Sequence, residues 1–487
     1  MKLIAEKITG KLGTIHFVGI GGIGMSGIAE ILQNLGYTVQ GSDLVDNSNT
    51  KRLFLKGIKI FIGHTEENIN EVDVVVKSSA VTDSNPEIIA ARNKSIPVIK
   101  RSEMLAELMR LKISIAIAGA HGKTTTTSLV AAIFEAADLS PTVINGGIIN
   151  AYGTNAYLGK GDFLIAEADE SDATFIKIPS TIGVITNIDK EHLDFYGTFA
   201  AVKQAFLSFI ENIPFYGFMV LCKDNTETAE LADKILDRKI LTYGMESNNL
   251  DVRAVNVRNE INGSEYDVIL SPKFYGTETI IKDIFLPVAG IHNVINSLAA
   301  IAIAAKLKFN IDTIKNGFRN FGGVKRRFTK VGEVNNITIV DDYAHHPKEI
   351  IATLKTAKHI ANKIQGKVIA VFQPHRYSRL RDLFSEFVNC FTYAETLIIT
   401  DIYSAGENPI IGISKEALAA SIKESDYPGE VLILDSEKNL AQLIYSKANP
   451  HDLVICLGAG SITNWAAELP KELELLYKNN VALNAVS

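Results

Sequence analysis

Apolar residues fall along this chain in short runs, most of them followed by a polar or glycine-containing turn and a stretch with helical periodicity. Residues 14–19 (TIHFVG) read as a strand, Gly19-Ile-Gly-Gly-Ile-Gly24 as a turn, and 25–35 as a helix. A strand over 37–41 ends at Ser42-Asp43, and strands over 58–62 and 72–76 continue the series. A second series opens with a strand over 113–118, then strands over 163–166 and 182–186 and a helix over 199–213. The stretch 248–279 alternates apolar and polar residues, as small antiparallel strands do, and a helix is predicted from about 292 to 307. Phe321-Gly-Gly-Val324 reads as a hinge. Beyond it, strands over 337–341, 367–372, 397–400, 431–434 and 453–457 alternate with helical patterns.

This alternation predicts the α/β class with parallel, doubly wound sheets. Such sheets bind ligands just past the carboxyl ends of their strands, where Asp401, Gly458 and Gly460 fall. A length of 487 residues accommodates about three domains at roughly 150 residues each. The expected boundaries are 1–112, 113–322 and 323–487.

Composition narrows the function. The apolar share of 47% supports sizeable cores, and a net charge of −6 gives no global basic field for nucleic acid or an acidic membrane. Anionic ligands must therefore be held by local sites. The three cysteines, Cys222, Cys390 and Cys456, lie far apart in no metal-like spacing, which fits a reducing cytoplasm. Lys2, Lys7 and Lys11 interrupt any apolar leader, so an export signal is not expected. No apolar run approaches the roughly 18 residues of a membrane span; residues 298–305 read as a buried helix instead.

The densest chemical signal is Gly119-Ala-His-Gly-Lys-Thr-Thr-Thr-Thr127, directly after the strand 113–118. A glycine turn between a strand and a helix start points backbone N–H groups at one spot and favours phosphate. Lys123 is placed to reach the β- and γ-phosphates, and the Thr124 hydroxyl to ligate Mg²⁺. The pattern is a shortened phosphate loop, with Ile117 where the full form carries glycine. Gly19-x-Gly21-x-x-Gly24, with Asp43 beyond it, resembles a dinucleotide fingerprint; alone it fits an NAD-dependent oxidoreductase equally well. Glu167, Asp169, Glu170 and Asp172 follow a strand, and their mutual repulsion favours a bound cation. Thr186-Asn-Ile-Asp189 and His192-Leu-Asp194 follow the next strand, with His192 a potential metal ligand. Asn293 and Asn296 open a helix and suit an adenine edge or a ribose; Lys325-Arg-Arg327 beyond the hinge suits a γ-phosphate. Two clusters, Asp341-Asp-Tyr-Ala-His-His-Pro347 and Phe372-Gln-Pro-His-Arg-Tyr-Ser-Arg379, read as one site. In it Arg376 and Arg379, one helical turn apart, would clamp a carboxylate.

Together, HFVGIGGIGMSGIAEIL, GAHGKTTT, AEADESD, TNID, EHLD, GIHN, DDYAHHP and FQPHRYSR occur in this order over nearly the whole chain. The ordered set resembles the Mur ligases of bacterial cell-wall synthesis. FQPHRYSR is similar to the alanine-adding members, not to the relatives that recycle a murein tripeptide. The resemblance implies a Rossmann-like UDP-binding domain, a central P-loop ATPase domain and a C-terminal Rossmann-like amino-acid domain. It implies the substrates UDP-N-acetylmuramate, L-alanine and ATP, one or two Mg²⁺ ions, an acyl-phosphate intermediate, a bacterial cytoplasmic location and a monomer or weak homodimer. By that resemblance Gly21, Gly22, Ile23, Gly24 and Met25 hold the UDP diphosphate, while Asp43, His64, Ser79 and Arg101 face the uridine and sugar. Gly119, Ala120, His121, Gly122, Lys123, Thr124 and Thr125 surround ATP, with Asn293 and Asn296 at its nucleoside. Thr124 and Glu167 hold one metal, Glu167 and His192 a second; Arg327 and Asp342 approach ATP. Tyr343, His345, Arg376 and Arg379 form the alanine site, with His345 near the amine. Ala120 stands where the family usually has Thr or Ser. Lys203 does not align with the carbamylated lysine of sibling ligases, so that feature is not expected.

Overall fold

The computed structural model describes residues 13–484 apart from Leu111, Asp172 and Ile261. Lys2, Lys7, Lys11 and Asp172 thus lie outside the described residues. The chain forms two compact units. One runs to Asn256 and takes in Tyr266–Phe285 and Val294–Val324; the other comprises Val257–Glu265, Leu286–Asn293 and the chain from Lys325.

The first sheet is built from β1 (Thr14–Val18), β2 (Thr38–Asp43), β3 (Lys59–Ile62), β4 (Val72–Lys77) and β5 (Val98–Lys100), in the order β3-β2-β1-β4-β5. All its pairings are parallel. The order reverses at β1, so the crevice for a ligand opens where the Gly19–Gly24 turn stands. The β1 core residues Ile15, Phe17 and Val18 are buried, as expected where both faces of a parallel sheet are covered.

The second sheet comprises β6 (Ile113–Ala118), β7 (Thr142–Ile149), β8 (Thr154–Tyr157), β9 (Phe163–Glu167), β10 (Ile182–Ile185), β11 (Phe218–Cys222), β12 (Ile240–Gly244), β13 (Val252–Glu260), β14 (Gly263–Leu270) and β15 (Thr279–Leu286). Its order is β15-β14-β13-β12-β11-β10-β6-β9-β7-β8. β6 lies between β9 and β10, both parallel to it, so the loops after these three strands converge at one edge. The third sheet contains β16 (Thr329–Val334), β17 (Ile337–Asp342), β18 (Val368–Phe372), β19 (Thr396–Ile399), β20 (Glu430–Ile433) and β21 (Leu453–Leu457), in the order β16-β17-β21-β18-β19-β20. Only β16 runs antiparallel there.

Several elements escape the apolar pattern. The helices Ser48–Leu55, Pro86–Asn93 and Arg101–Met109 are short, and the first buries only Thr50 and Leu53. β7 carries Gly146 and Gly147, and β16 has no fully buried residue, so neither reads as a buried run. The expected hinge is pinned at its start: Asn150 Nδ2 donates to the Gly322 carbonyl at 2.8 Å, and Asn150 N to the Gly323 carbonyl at 3.2 Å. Among the described residues no helix is long and apolar enough to cross a membrane.

Candidate active site

The phosphate loop starts where β6 ends. Gly119 has φ +132°, and a Cβ there would come 2.1 Å from Thr186 Oγ1. Gly122 has φ +83°, and a Cβ there would sit 2.5 Å from Asn296 Oδ1. Both positions therefore require glycine for conformation and for space. Gly122 caps the helix Lys123–Ala136 without any side-chain hydrogen bond, so the first N–H groups are not taken by a cap. The loop is braced from β10: Ala120 N donates to the Asn187 carbonyl at 3.1 Å, and His121 N to Asn187 Oδ1 at 2.8 Å. Thr186 Oγ1 donates to the His121 carbonyl at 2.6 Å.

Lys123 Nζ folds back onto the Gly119 and Ala120 carbonyls at 2.5 and 3.2 Å and pairs with Glu170 at 2.8 Å. The surrounding Glu170, Glu167 and Asp169 charges outweigh its burial and keep it protonated. Burial pushes Glu170 up to about 7 in spite of Lys123, with Asp169 and Glu191 adding to the rise. Thr124 Oγ1 donates to Glu167 Oε2 at 2.9 Å, and Gly146 N donates to the same oxygen at 2.8 Å. A Cβ on Gly146 would meet that carboxylate at 2.6 Å, so β7 presses its backbone against Glu167. Thr125 is buried in the first helical turn.

Three carboxylates of the acidic loop each have a partner, although Asp169 still repels Glu170. Glu167 is held by Thr124 and Gly146, Asp169 by Arg101 at 3.3 Å, and Glu170 by Lys123. His192, at φ +56°, stands with Glu170 and Glu191, each 3.7 Å away. The ligand sets by proximity are Thr124 with Glu167, and His192 with Glu170 and Glu191. The hydroxyl and carboxylate oxygens at the loop mouth form the hard donor set that Mg²⁺ takes. Lys203 pairs with Glu227 at 2.5 Å on the helix Phe199–Glu211.

The first glycine loop has the same build with different company. The Gly19 and Ile20 N–H groups donate to the Ser42 carbonyl at 2.8 and 3.0 Å, and Gly22 N to the Gly19 carbonyl at 3.2 Å. Gly22 caps the helix Ile23–Asn34, again without a side-chain hydrogen bond. Asp43 Oδ2 accepts from Gly21 N at 2.8 Å, so this carboxylate shapes the loop. The Ile23 carbonyl accepts from Asn155 Nδ2 at 2.5 Å, Met25 is buried, and Arg101 lies against Gly24, where a Cβ would meet its Nη1 at 2.9 Å. His64 turns inward to Ser42 and Glu87, while Ser79 is exposed after β4.

Asn293 lies in the turn that opens the helix Ile291–Lys306 and donates to the Ala289 carbonyl at 2.8 Å; Asn296 faces Gly122. Beside Asn293, burial pushes His292 down to about 4.

On the third sheet, Asp342 ends β17 and accepts from Phe328 N and Ala344 N at 2.7 and 2.8 Å. Burial pushes it up to about 6 against the pull of Arg327. The Arg326 and Arg327 guanidiniums lie 4.7 and 5.2 Å from the Tyr343 ring centre. Tyr343 meets the His345 ring edge-on at 5.0 Å, and His345 meets His375 at 5.7 Å. Burial, then the charges of His345, Arg379 and Arg376, push His375 down to about 3, so it is neutral. The charges of Arg376 and Arg379 both reach His375. The two arginines bracket the first turn of the helix Tyr377–Asp382: Arg376, at φ +67°, is its N-cap and its carbonyl accepts from Leu380 N at 3.2 Å, and Arg379 lies within it. That strained backbone is held by Arg376 N donating to the Tyr403 carbonyl at 2.8 Å and by the Tyr403 ring stacked on His375 at 5.4 Å. Tyr403 is not among the expected site residues, while His375 and Arg326 are expected only as members of their clusters, with no role of their own. The signal for His375 was its place inside FQPHRYSR.

Known proteins match this chain over most of its length. Family-level sequence models match as "Mur ligase family, catalytic domain" over residues 14–113, "Mur ligase middle domain" over 117–304 and "Mur ligase, glutamate ligase domain" over 326–460. UDP-N-acetylmuramate–L-alanine ligase of Rickettsia canadensis (strain McKiel) is 59% identical over 96% of this chain and 98% of its own length. The enzyme of the same name from Rickettsia bellii (strain OSU 85-389) is 57% identical over the same shares. The crystal structure of the UDP-N-acetylmuramate–alanine ligase MurC from Thermotoga maritima superposes with a TM-score of 0.79 at 28% identity, covering 96% of this chain and 99% of that one. A murein peptide ligase from Psychrobacter arcticus shares the fold, with a TM-score of 0.68 at 23% identity over 95% and 99% of the two chains. The two glycine loops, the acidic loop and the histidine–arginine cluster of this chain stand inside the segments matched by the family models, and the chain belongs to the Mur ligase family.

Proposed function

We propose that this protein joins L-alanine to the carboxylate of UDP-N-acetylmuramate at the expense of ATP, in the bacterial cytoplasm, as a step of peptidoglycan precursor synthesis. The observation that carries the reading is the phosphate loop itself. Lys123, Thr124 and Glu167 stand together at its mouth, in a chain 59% identical to an enzyme of that name.

In this reading the sugar carboxylate attacks the γ-phosphorus of ATP, and the bond to the β–γ bridging oxygen breaks to release ADP. The alanine amine then attacks the acyl phosphate and loses a proton. The tetrahedral intermediate collapses to the amide and inorganic phosphate. Phosphoryl transfer is mainly positioning and charge neutralisation, so a lysine and backbone N–H groups suffice on the protein side. Lys123 leaves Glu170 and the loop carbonyls to meet the phosphates. Thr124 and Glu167 would hold Mg²⁺, which would neutralise phosphate charge. His192 with Glu167 or Glu170 would hold a second ion. Arg376 and Arg379 take the alanine carboxylate, and Tyr343 and His345 border its amine.

The test is phosphate release from ATP and Mg²⁺ with UDP-N-acetylmuramate, comparing L-alanine, glycine, L-serine, D-glutamate and the murein tripeptide. Release that needs both the nucleotide sugar and L-alanine supports the reading. Release with the tripeptide alone would make this a recycling ligase, and no release with any pair would leave a nucleotide-binding protein.

A further inference from the structure

A second polar cluster lies buried on the first sheet, and apart from His64 none of the roles above uses it. Glu87, on the helix Pro86–Asn93, has no exposed surface. Its Oε2 accepts from Ser42 Oγ at 2.5 Å and lies 3.2 Å from His64 Nδ1 and 3.5 Å from His16 Nε2. Its Oε1 accepts from Asn68 Nδ2 at 2.6 Å. Burial pushes the Glu87 carboxyl up, but the donors from His16, Ser42 and Asn68 outweigh it and hold the group below its ordinary value. A buried anion of this kind is tolerated only when its neighbours all donate to it.

That requirement fixes the protons. Ser42 has one hydroxyl hydrogen, and its 2.5 Å contact gives it to Glu87. His64 Nδ1 lies 3.0 Å from Ser42 Oγ and 3.2 Å from Glu87 Oε2, both now acceptors, so Nδ1 carries a hydrogen. His16 Nδ1 faces the Gln40 amide nitrogen at 3.2 Å, which also donates to the Asn68 carbonyl at 2.8 Å. His16 therefore keeps its hydrogen on Nε2, toward Glu87.

The cluster is joined to the first glycine loop through the backbone. The Ser42 carbonyl receives the Gly19 and Ile20 N–H groups at 2.8 and 3.0 Å. The next residue, Asp43, receives Gly21 N on its side chain and Gly63 N on its carbonyl, both at 2.8 Å, and His64 follows Gly63. Ser42 thus holds Glu87 with its hydroxyl and the loop with its carbonyl. We infer that Glu87 is a positioning residue of the nucleotide-sugar site: it fixes Ser42 beneath the loop and locks His64 as the Nδ1–H form, leaving Nε2 as the nitrogen open to a ligand. The inference rests on the reading of this loop as the UDP-sugar site.

The test is Glu87→Gln in the full chain, with all three substrates titrated. The KM for UDP-N-acetylmuramate rises about tenfold, the low end of what loss of an orienting partner costs, while kcat and the KM values for ATP and alanine hold. Ser42→Ala raises the same constant by a smaller factor. Equal losses in every constant together with a lowered Tm would reduce Glu87 to a fold element and overturn the inference. Long-range ¹H–¹⁵N spectra of the wild-type enzyme, with His64 assigned from His64→Phe, supply a readout that needs no folded Glu87 variant. The expected form is Nδ1–H; the Nε2–H form would overturn the proposal. Wild-type phosphate release that needs no UDP-sugar would sink the functional reading. An unchanged KM in Glu87→Gln, beside a sugar-dependent wild type, would sink only this inference.

Discussion

The two glycine loops differ less in backbone than in what surrounds them. Both follow a parallel strand, and both open a helix capped by a glycine with no side chain on its first N–H groups. Each therefore offers an anion the partial positive charge of a helix start. The first loop is surrounded by Asp43, Asn47 and Asn49, which bond its own backbone, and Arg101 lies against it. The second adds Lys123, Thr124 and Glu167 within one turn of the helix start. A helix start alone binds a phosphate. A mobile cation and hard oxygen donors beside it are what move one. The NAD-like fingerprint of residues 19–24 thus fits a bound diphosphate without specifying a chemistry, whereas the lysine and threonine of the second loop fit phosphoryl transfer.

If that division is right, damage to each loop should fall on its own substrate. The largest effect is expected from Lys123→Ala, which should lower kcat by at least about 10³-fold; a phosphate-release assay retaining more than a tenth of the activity would break the comparison. Arg376→Ala comes next. Loss of a charge-assisted contact to the alanine carboxylate should raise the KM for alanine about 30-fold, and steady-state kinetics with an unchanged alanine dependence would remove Arg376 from the site. Gly21→Ala puts a Cβ 2.5 Å from Asn47 Nδ2 and 2.8 Å from Asp43 Oδ2. It should raise the KM for UDP-N-acetylmuramate about tenfold, as loss of an orienting contact does, and leave that for ATP alone. The smallest effect is expected from Lys203→Ala. Its half-buried pair with Glu227 uses no phosphate-loop residue, so turnover should stay within about twofold, as for most ion pairs near the surface. A large loss that bicarbonate rescues would restore a carbamylated lysine to the account.

How much of this was legible follows the physics of each element. Strands buried on both faces leave continuous apolar runs, and β1, β6, β10, β18 and β21 all fall where the runs do. Glycines with positive φ and a lysine after a strand are local signals, so the phosphate loop could be read directly. Edge strands such as β8 and β16 have no such run, and short helices such as Ser48–Leu55 carry too few apolar positions to show a stripe. The pairing of Glu170 with Lys123, and of Asp169 with Arg101, depends on contacts between residues 47 and 68 apart in the chain. Periodicity carries no such information, so the acidic loop read as four like charges seeking a cation. Glu87 was hidden in the same way, as a glutamate after Asn-Pro in what looks like a helix start. Its one trace was His16, a histidine inside an apolar strand, which must find a partner if it is buried.

The central claim is that binding of the nucleotide sugar and transfer of the phosphoryl group belong to separate loops. The most direct test is an equilibrium titration of Lys123→Ala with UDP-N-acetylmuramate and, separately, with ATP. The account predicts a sugar-nucleotide Kd within about twofold of wild type, as expected for sites without shared partners, alongside weakened ATP binding and no turnover. Loss of UDP-N-acetylmuramate binding in that variant would contradict the division of labour between the two loops.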